Sequence, residues 1–113
     1  MTQTEPATDA DLARWAKALA HPARLQILRT LGTQGECVCG QVVEVVGLAQ
    51  STVSQHLKVL KNAGLVAEVP EGTRRIYHLN EAGLSALRDQ LDTFWSRALS
   101  GFQDVVDRPE ESK

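Results

Sequence analysis

Two cysteines separated by a single residue are the most chemically distinctive feature of the sequence. Cys37 and Cys39 are the only cysteines among the 113 residues, and they lie in the run Glu36-Cys-Val-Cys-Gly40. Thiolate sulfur is a soft ligand that favours thiophilic ions such as As(III), Sb(III), Cd(II) and Pb(II). The run lies at or just before the start of a predicted helix, whose N-terminal end lowers the pKa of a thiol. The spacing therefore indicates a candidate two-sulfur ion site.

The geometry of that site depends on the local backbone. In a regular helix, residues two apart point to nearly opposite sides, so both sulfurs can hold one ion only where residues 37–40 are, or become, non-helical. Binding would then distort the segment around it. Two sulfurs fit a three-coordinate As(III) or Sb(III) that keeps a hydroxide or small thiol, or a methylated arsenical. Four-coordinate Zn(II) or Cd(II) usually needs four ligands.

Two other interpretations of Cys37 and Cys39 stay open. The pair could be a dithiol switch for oxidants, although a Cys-x-Cys disulfide in a helical turn would be strained. The cysteines could also be inert and partly buried, as free cysteines often are. Two closely spaced cysteines are too few to cross-link a secreted mini-domain, so we expect reduced thiols. His21 and His78 show no ligand spacing with them, and His21 is expected to cap a helix.

The apolar residues predict four helices before any strand. Their period of three to four residues places helices at about 9–20, from Pro22 to about 31, 39–46 and 50–63. Asp9 is the expected N-cap of the first helix. Leu25, Leu28 and Leu31 form the expected core-facing stripe of the second, which Gly32 and Gly35 end.

A hairpin and a long helix follow. Residues 65–69 and 74–79 are rich in β-forming residues and flank the turn sequence Pro70-Glu-Gly-Thr73, so they predict a two-stranded wing. The last helix is expected over 81–106. The pattern predicts a mostly α-helical α+β fold of the winged helix-turn-helix class, with four helices, a hairpin and a fifth helix.

The fourth predicted helix has one apolar and one polar face. Val53, Leu57 and Leu60 form the apolar face, and the polar side chains suit phosphates and base edges better than a core. The net charge of −2 hides a local excess of +4 over residues 12–79, which is the footprint that nucleic-acid binding requires. The polar side is expected to show Gln50 or Ser51, Ser54, Gln55, Lys58, Lys61 and Asn62.

Size and composition limit the remaining function classes. The 113 residues, 42% of them hydrophobic, suit one domain, expected over 9–106 with flexible tails at 1–8 and 107–113. The sequence has no phosphate-binding loop, no nucleophile with a base at motif spacing and no carboxylate pair, so we expect a non-enzyme. A polar N-terminus and the lack of a long apolar run predict a cytoplasmic protein without membrane association.

A family resemblance adds to this interpretation. The stretch Gln50-Ser-Thr-Val-Ser-Gln-His-Leu-Lys-Val-Leu-Lys-Asn-Ala-Gly-Leu-Val66 is preceded by Ala18-Leu-Ala-His-Pro-Ala-Arg-Leu-Gln-Ile-Leu28 and followed by Gly72-Thr-Arg-Arg-Ile-Tyr-His-Leu79. Over about residues 10–100 the chain closely resembles the ArsR/SmtB family of metalloregulatory repressors. The resemblance implies a homodimer held by the first and last helices, a two-fold symmetric operator in double-stranded DNA, and release by an inducer. Carried over residue by residue, it also implies the DNA-binding residues Gln50, Ser51, Thr52, Ser54, Gln55, His56, Lys58, Lys61, Arg74 and Arg75.

The resemblance also bears on the inducer. Many arsenic and antimony repressors, and related cadmium and lead sensors, carry a Cys-Val-Cys-Asp-Leu box at this place, which implies Cys37 and Cys39 as ligands of As(III), Sb(III) or methylarsenite. Gly40-Gln41 replaces the Asp-Leu of the box, Val42 stands where arsenic repressors place a third cysteine, and the spacing to His56 is one residue longer. The last helix, from Leu84 to Val106, has no histidine, which disfavours a zinc sensor.

Two alternatives remain for the whole chain. One is a repressor of the same fold that responds to oxidants, cadmium or lead. The other is a winged-helix module that binds only protein, which Lys58, Lys61, Arg74 and Arg75 argue against.

Overall fold

The structure, a computed structural model, describes residues 8–109, which form five helices and three strands. All five predicted helices and both wing strands are confirmed, and one strand is additional. The predicted tails fall outside the described residues, except for Thr8 and residues 107–109. In chain order the elements are α1 (Asp9–Leu19), α2 (Pro22–Gln34), β1 (Glu36–Val38), α3 (Cys39–Val46), α4 (Gln50–Asn62), β2 (Val66–Glu71), β3 (Arg74–Leu79) and α5 (Glu81–Asp107).

The starts of the first two helices are set by side-chain caps. Thr8, not Asp9, caps α1: its Oγ1 accepts a hydrogen bond from Asp11 N at 3.2 Å, and the Asp11 carboxylate accepts one from Thr8 N at 2.9 Å. This reciprocal pair satisfies two backbone N–H groups that the helix leaves free. His21 caps α2 as expected, because its Nδ1 accepts from Ala23 N at 3.1 Å, and Pro22 needs no partner at the first helical position.

The strands form one antiparallel sheet in the order β1-β3-β2. The strands β2 and β3 with their turn are the predicted wing, and Gly72 supplies the positive φ of +63° that the turn requires. Strand β1 adds a third strand on the other side of β3, with Cys37 opposite Tyr77 and Val38 opposite Ile76. Residues 36–38 therefore tie the start of α3 to the wing.

The core lies between α1, α2, α3, α4 and the sheet. Ile27, Leu31, Val42, Leu57 and Leu60 are almost completely buried. The expected stripe of α2 was wrong in part, because Leu25 is exposed and Ile27 takes the core position. The stripe is set by residues 23, 27, 30 and 31, which share one helix face.

Helix α5 is only partly packed against this core. Leu84 and Leu87 near its start contact the core, whereas the rest of the helix extends away, and none of its 27 residues is fully buried. Its exposed large apolar side chains are Leu91, Phe94, Trp95, Leu99, Phe102, Val105 and Val106. Over residues 8–109, no helix has the length and apolarity that crossing a membrane would require.

Candidate DNA-binding face and cysteine site

Helices α3 and α4 form a helix-turn-helix unit whose second helix shows a polar face. Helix α3 ends at Gly47 in the left-handed conformation, and α4 begins three residues later at Gln50. Because Val53, Leu57 and Leu60 are buried, the opposite side of α4 faces solvent. The polar face of α4 consists of the exposed residues Gln50, Ser51, Thr52, Ser54, Gln55, Lys58 and Lys61.

His56 does not belong to this face, which corrects the expectation that it approaches bases or phosphates. Its side chain is buried, and its Nδ1 accepts a hydrogen bond from Arg24 Nε at 3.3 Å. Its ring lies 4.4 Å from that of His21, measured between centroids. Burial, and then the charges of His21 and Arg24, lower the pKa of His56. The imidazole is therefore placed to hold α4 against α2.

Arg24 links three helices at this point. Besides His56 on α4, its guanidinium donates to the carbonyl oxygens of Lys17 at 3.2 Å and Ala18 at 3.4 Å, near the end of α1. Trp15 adds a second link, because its indole Nε1 donates to Ala63 O at 3.0 Å. The orientation of α4 is thus fixed from its buried side by α1 and α2.

The wing carries the two arginines that the sequence predicted. Arg74 and Arg75 are exposed at the start of β3. Arg74 pairs with Glu71 at 3.2 Å, with both side chains 63% exposed, and such a surface pair contributes little stability. Arg75 instead pairs with Glu68 at 3.1 Å. The wing and the polar face of α4 form the candidate DNA-binding face.

Glu68 is a residue that sequence reasoning did not single out. Its carboxylate accepts from Lys61 Nζ at 2.7 Å, Arg75 Nη1 at 3.1 Å and the Tyr77 hydroxyl at 3.2 Å. These donors, the Lys61 hydrogen bond first, hold the pKa of Glu68 below its usual range, while burial raises the pKa of Tyr77. We call these four residues the Glu68 cluster. The contacts join separate elements, so no local motif marks them.

The two cysteines lie in different surroundings. Cys37, in β1, is 1% exposed, and burial raises its pKa, contrary to the lowering expected for the run. Its sulfur lies 3.9 Å from Gln34 Oε1. Cys39, the first residue of α3, is partly exposed, and its sulfur lies 3.6 Å from the Ser54 hydroxyl on the polar face of α4. One cysteine is thus enclosed against the sheet and the other touches the candidate DNA-binding face.

The backbone between the sulfurs is not helical. Residues 36–38 are extended, and Val38 has a ψ of 161° before the helix begins. In extended backbone, side chains two residues apart project to the same side, so the obstacle that a regular helix would pose does not apply. Within residues 8–109, no group of three or more His, Cys, Asp or Glu side chains is arranged to hold a metal ion.

This fold and face define a winged helix-turn-helix protein of the kind that regulates transcription. Residues 21–68 match the family model for bacterial regulatory proteins of the arsR family. The HTH-type transcriptional regulator Rv2034 of Mycobacterium tuberculosis is 45% identical over 91 residues, covering 80% of this chain and 84% of the relative. The chain belongs to the ArsR family, as the resemblance implied, and is a transcriptional regulator.

Two solved structures agree with this assignment. A possible transcriptional regulator for arsenical resistance superposes with a TM-score of 0.65 at 35% identity, covering 83% of this chain and 95% of the other. The homodimeric winged helix-turn-helix domain Mb0332 of Mycobacterium bovis, a possible ArsR-family regulator solved by NMR, has a TM-score of 0.58 at 27% identity over 100% of both chains. Both share the winged helix-turn-helix architecture.

Proposed function

We propose that the protein is a transcriptional repressor that binds double-stranded operator DNA as a homodimer and leaves it when a thiophilic inducer binds Cys37 and Cys39. As(III) or Sb(III), including methylarsenite, is the proposed inducer. The observation that carries this proposal is the 3.6 Å contact between the Cys39 sulfur and the Ser54 hydroxyl. It places a candidate ligand against the helix that would read the operator.

The DNA-binding part of the proposal uses α4 and the wing. An α-helix fits the major groove, where Gln50, Ser54 and Gln55 offer hydrogen bonds to base edges. Lys58 and the wing arginines would contact phosphates, which fix position rather than sequence. If a dimer neutralises about 6 to 8 phosphates, log K against log salt has a slope of about −5 to −7.

The exposed apolar side chains on the second half of α5 support the proposed homodimer. Phe94, Trp95, Leu99 and Phe102 form an exposed apolar row, and such rows on soluble proteins mark interaction sites. Packing α5 and α1 against a second copy covers the row. The copies would then present two α4 helices to two half-sites of one operator. The homodimeric Mb0332 structure, to which this chain is similar, supports this arrangement.

Release would follow from the different surroundings of the two sulfurs. Cys39 is partly exposed, whereas Cys37 is enclosed opposite Tyr77. Because Cys37 is 1% exposed, an ion from solvent would reach both sulfurs only when Cys37 moves out of that position, and this movement would disturb the pairing of β1 with β3. It also shifts the first turn of α3, and with it the contact to Ser54. The protein supplies two sulfurs, and solvent hydroxide or a small thiol completes the coordination of As(III).

A DNA-release titration tests the proposal. The purified protein is bound to the promoter region of its own gene in a gel shift and titrated with arsenite, antimonite, methylarsenite, Cd(II), Zn(II) and peroxide. We expect release by the arsenic or antimony compounds, and Cys37→Ala and Cys39→Ser to bind DNA but resist release. Cys39→Ser keeps a hydroxyl facing Ser54 and so removes only the sulfur.

Each other outcome of this titration contradicts a defined part of the proposed function. Release by peroxide alone makes the protein a redox-responsive repressor, and release by Cd(II) alone makes it a cadmium-type sensor. If nothing releases the DNA and the double cysteine variant behaves as the wild type, the inducer proposal is wrong. If the protein forms no DNA complex but captures a protein partner, the repressor proposal is wrong.

A further inference from the structure

Glu68 places a negative charge on the face that carries the candidate phosphate contacts. Its side chain is only 13% exposed, against 47% for Lys61 and 64% for Arg75. It approaches both cations closely, so it offsets two positive charges that DNA binding would otherwise use. For attraction to phosphate alone, Glu68 is therefore unfavourable, because long-range attraction depends on the local net charge.

The contacts of Glu68 indicate a structural role for its side chain. Glu68 lies on β2, Lys61 on the last turn of α4, and Arg75 and Tyr77 on β3. The carboxylate accepts hydrogen bonds at both oxygens, from a helix on one side and from the neighbouring strand on the other. Such charge-assisted hydrogen bonds are stronger and more directional than neutral ones. The cluster is thus a direct side-chain connection between α4 and both wing strands.

A wing attached loosely to α4 could still contact phosphates of any sequence. A fixed angle between them matters only when base contacts by α4 and backbone contacts by the wing must form together, since backbone contacts set the register in which bases are read. An acid that costs general attraction but fixes this angle therefore favours the correct sequence over all others.

We propose that Glu68 is a positioning residue for DNA recognition, which holds the wing at a set angle to α4 and so raises sequence discrimination while lowering general DNA affinity. This inference rests on the proposed function, because it requires that α4 and the wing bind one DNA site. Tyr77 is part of the same device, since its hydroxyl anchors the carboxylate from β3.

Three variants separate positioning from simple charge. Glu68→Gln removes the charge and keeps the shape, and Tyr77→Phe removes one anchor without changing charge. Glu71→Gln is the matched control, because Glu71 also lies on β2 and loses the same charge, but its pair with Arg74 is exposed on both sides. Binding to the promoter duplex and to a scrambled duplex of equal length is measured by fluorescence anisotropy at several salt concentrations.

The variants are expected to change binding to the promoter and to the scrambled duplex by different amounts. Glu68→Gln binds the scrambled duplex several-fold more tightly, with a salt slope steeper by about 2 to 4, because cations on each protomer become free. Its binding to the promoter does not gain in parallel, so the ratio of the two affinities falls by roughly tenfold, the size of one lost base contact. Tyr77→Phe lowers the ratio with scrambled-duplex binding unchanged. Glu71→Gln tightens both and keeps the ratio.

The proposal is overturned if Glu68→Gln behaves like Glu71→Gln, with both affinities rising together. Circular dichroism and thermal melts show whether each variant folds. If Glu68→Gln fails to fold, the affinity ratio of Tyr77→Phe decides the test. A wild-type protein that fails to distinguish the promoter from the scrambled duplex contradicts the proposed function instead. The two failures are therefore distinguishable.

Discussion

Helices α4 and α5 have similar amphipathic patterns, but their apolar sides differ in burial. The apolar side of α4 is enclosed by its own chain, with Val53 and Leu60 at 0% exposure, whereas Leu99 and Phe102 on α5 remain 60% and 63% exposed. The apolar period says that a helix has a face to bury but not what covers it. Helix α4 buries its apolar side within its own chain, whereas the proposed homodimer would cover the second half of α5. The first contributes to the folding of the chain, and the second is exposed and available for assembly.

Removing a core side chain from α4 gives the largest expected effect. Leu57→Ala leaves a cavity at a position that is 1% exposed, and the free energy of unfolding falls by about 2 to 5 kcal/mol. Chemical denaturation followed by circular dichroism measures the change. A loss below about 1 kcal/mol would contradict the conclusion that the apolar side of α4 is fully buried within its own chain.

A charge placed in the exposed apolar row of α5 tests whether that row forms the proposed dimer interface. Leu99→Asp places a carboxylate in the exposed apolar row, so the proposed dimer dissociates into folded monomers, because an unpaired charge in an interface costs several kcal/mol. Analytical ultracentrifugation gives the mass, and circular dichroism shows the retained helices. Gln103→Asp, on the same helix, adds a charge at a polar position and leaves the dimer intact. A dimer that survives Leu99→Asp places the interface elsewhere.

The buried side of α4 also predicts a pH effect. The unfolded His56 has its ordinary pKa of 6.5, and the folded pKa is lower, so the unfolded state binds protons first as the pH falls. This contribution to stability is complete above pH 6.5 and is lost as the pH falls through the lowered value. We expect His56→Gln, which cannot be protonated, to flatten the pH dependence of the melting temperature below pH 6.5. His56 faces His21 and Arg24, and both stay in that variant.

Lys58→Gln, a change of exposed charge on the same helix, serves as the control and keeps the wild-type pH dependence. An unchanged dependence in His56→Gln would assign it to other groups. This effect is smaller than the first two, because it removes one titration and no packing.

The smallest expected effect concerns the exposed wing. Arg74→Gln removes one partner of a largely exposed ion pair, so the free energy of unfolding changes by less than about 1 kcal/mol. The affinity for any duplex falls modestly, and the salt slope becomes shallower by about 2 for a dimer. Denaturation and anisotropy measure the two quantities. A large stability loss would show that the Arg74 side of the wing supports the core.

The sequence predicted the elements with a strong local signal and missed those that depend on distant partners. The helices follow from apolar spacing, and the wing from β-rich runs around a turn. Strand β1 has three residues, and its partner β3 lies about forty positions further on, so no window contains the pairing. His56 was expected at the DNA because the family resemblance carried it over with the rest of α4, whereas Arg24, whose guanidinium holds it inside, lies 32 residues earlier. Glu68 looks like an ordinary surface acid until the sheet brings Arg75 and Tyr77 beside it.

The shortness of β1 bears on how sensitively the protein could respond. A three-residue edge strand has few ladder hydrogen bonds and opens at lower free energy than the core, and such local opening is measured by amide hydrogen exchange. If only the open form exposes Cys37, the apparent inducer affinity is the intrinsic affinity multiplied by the fraction of open molecules. The response threshold would then be set partly by the pairing of Cys37 with Tyr77, and a stronger strand would raise the inducer concentration needed for release. The two sulfur ligands would determine which ion binds, and the stability of β1 would determine the inducer concentration at which the protein leaves DNA.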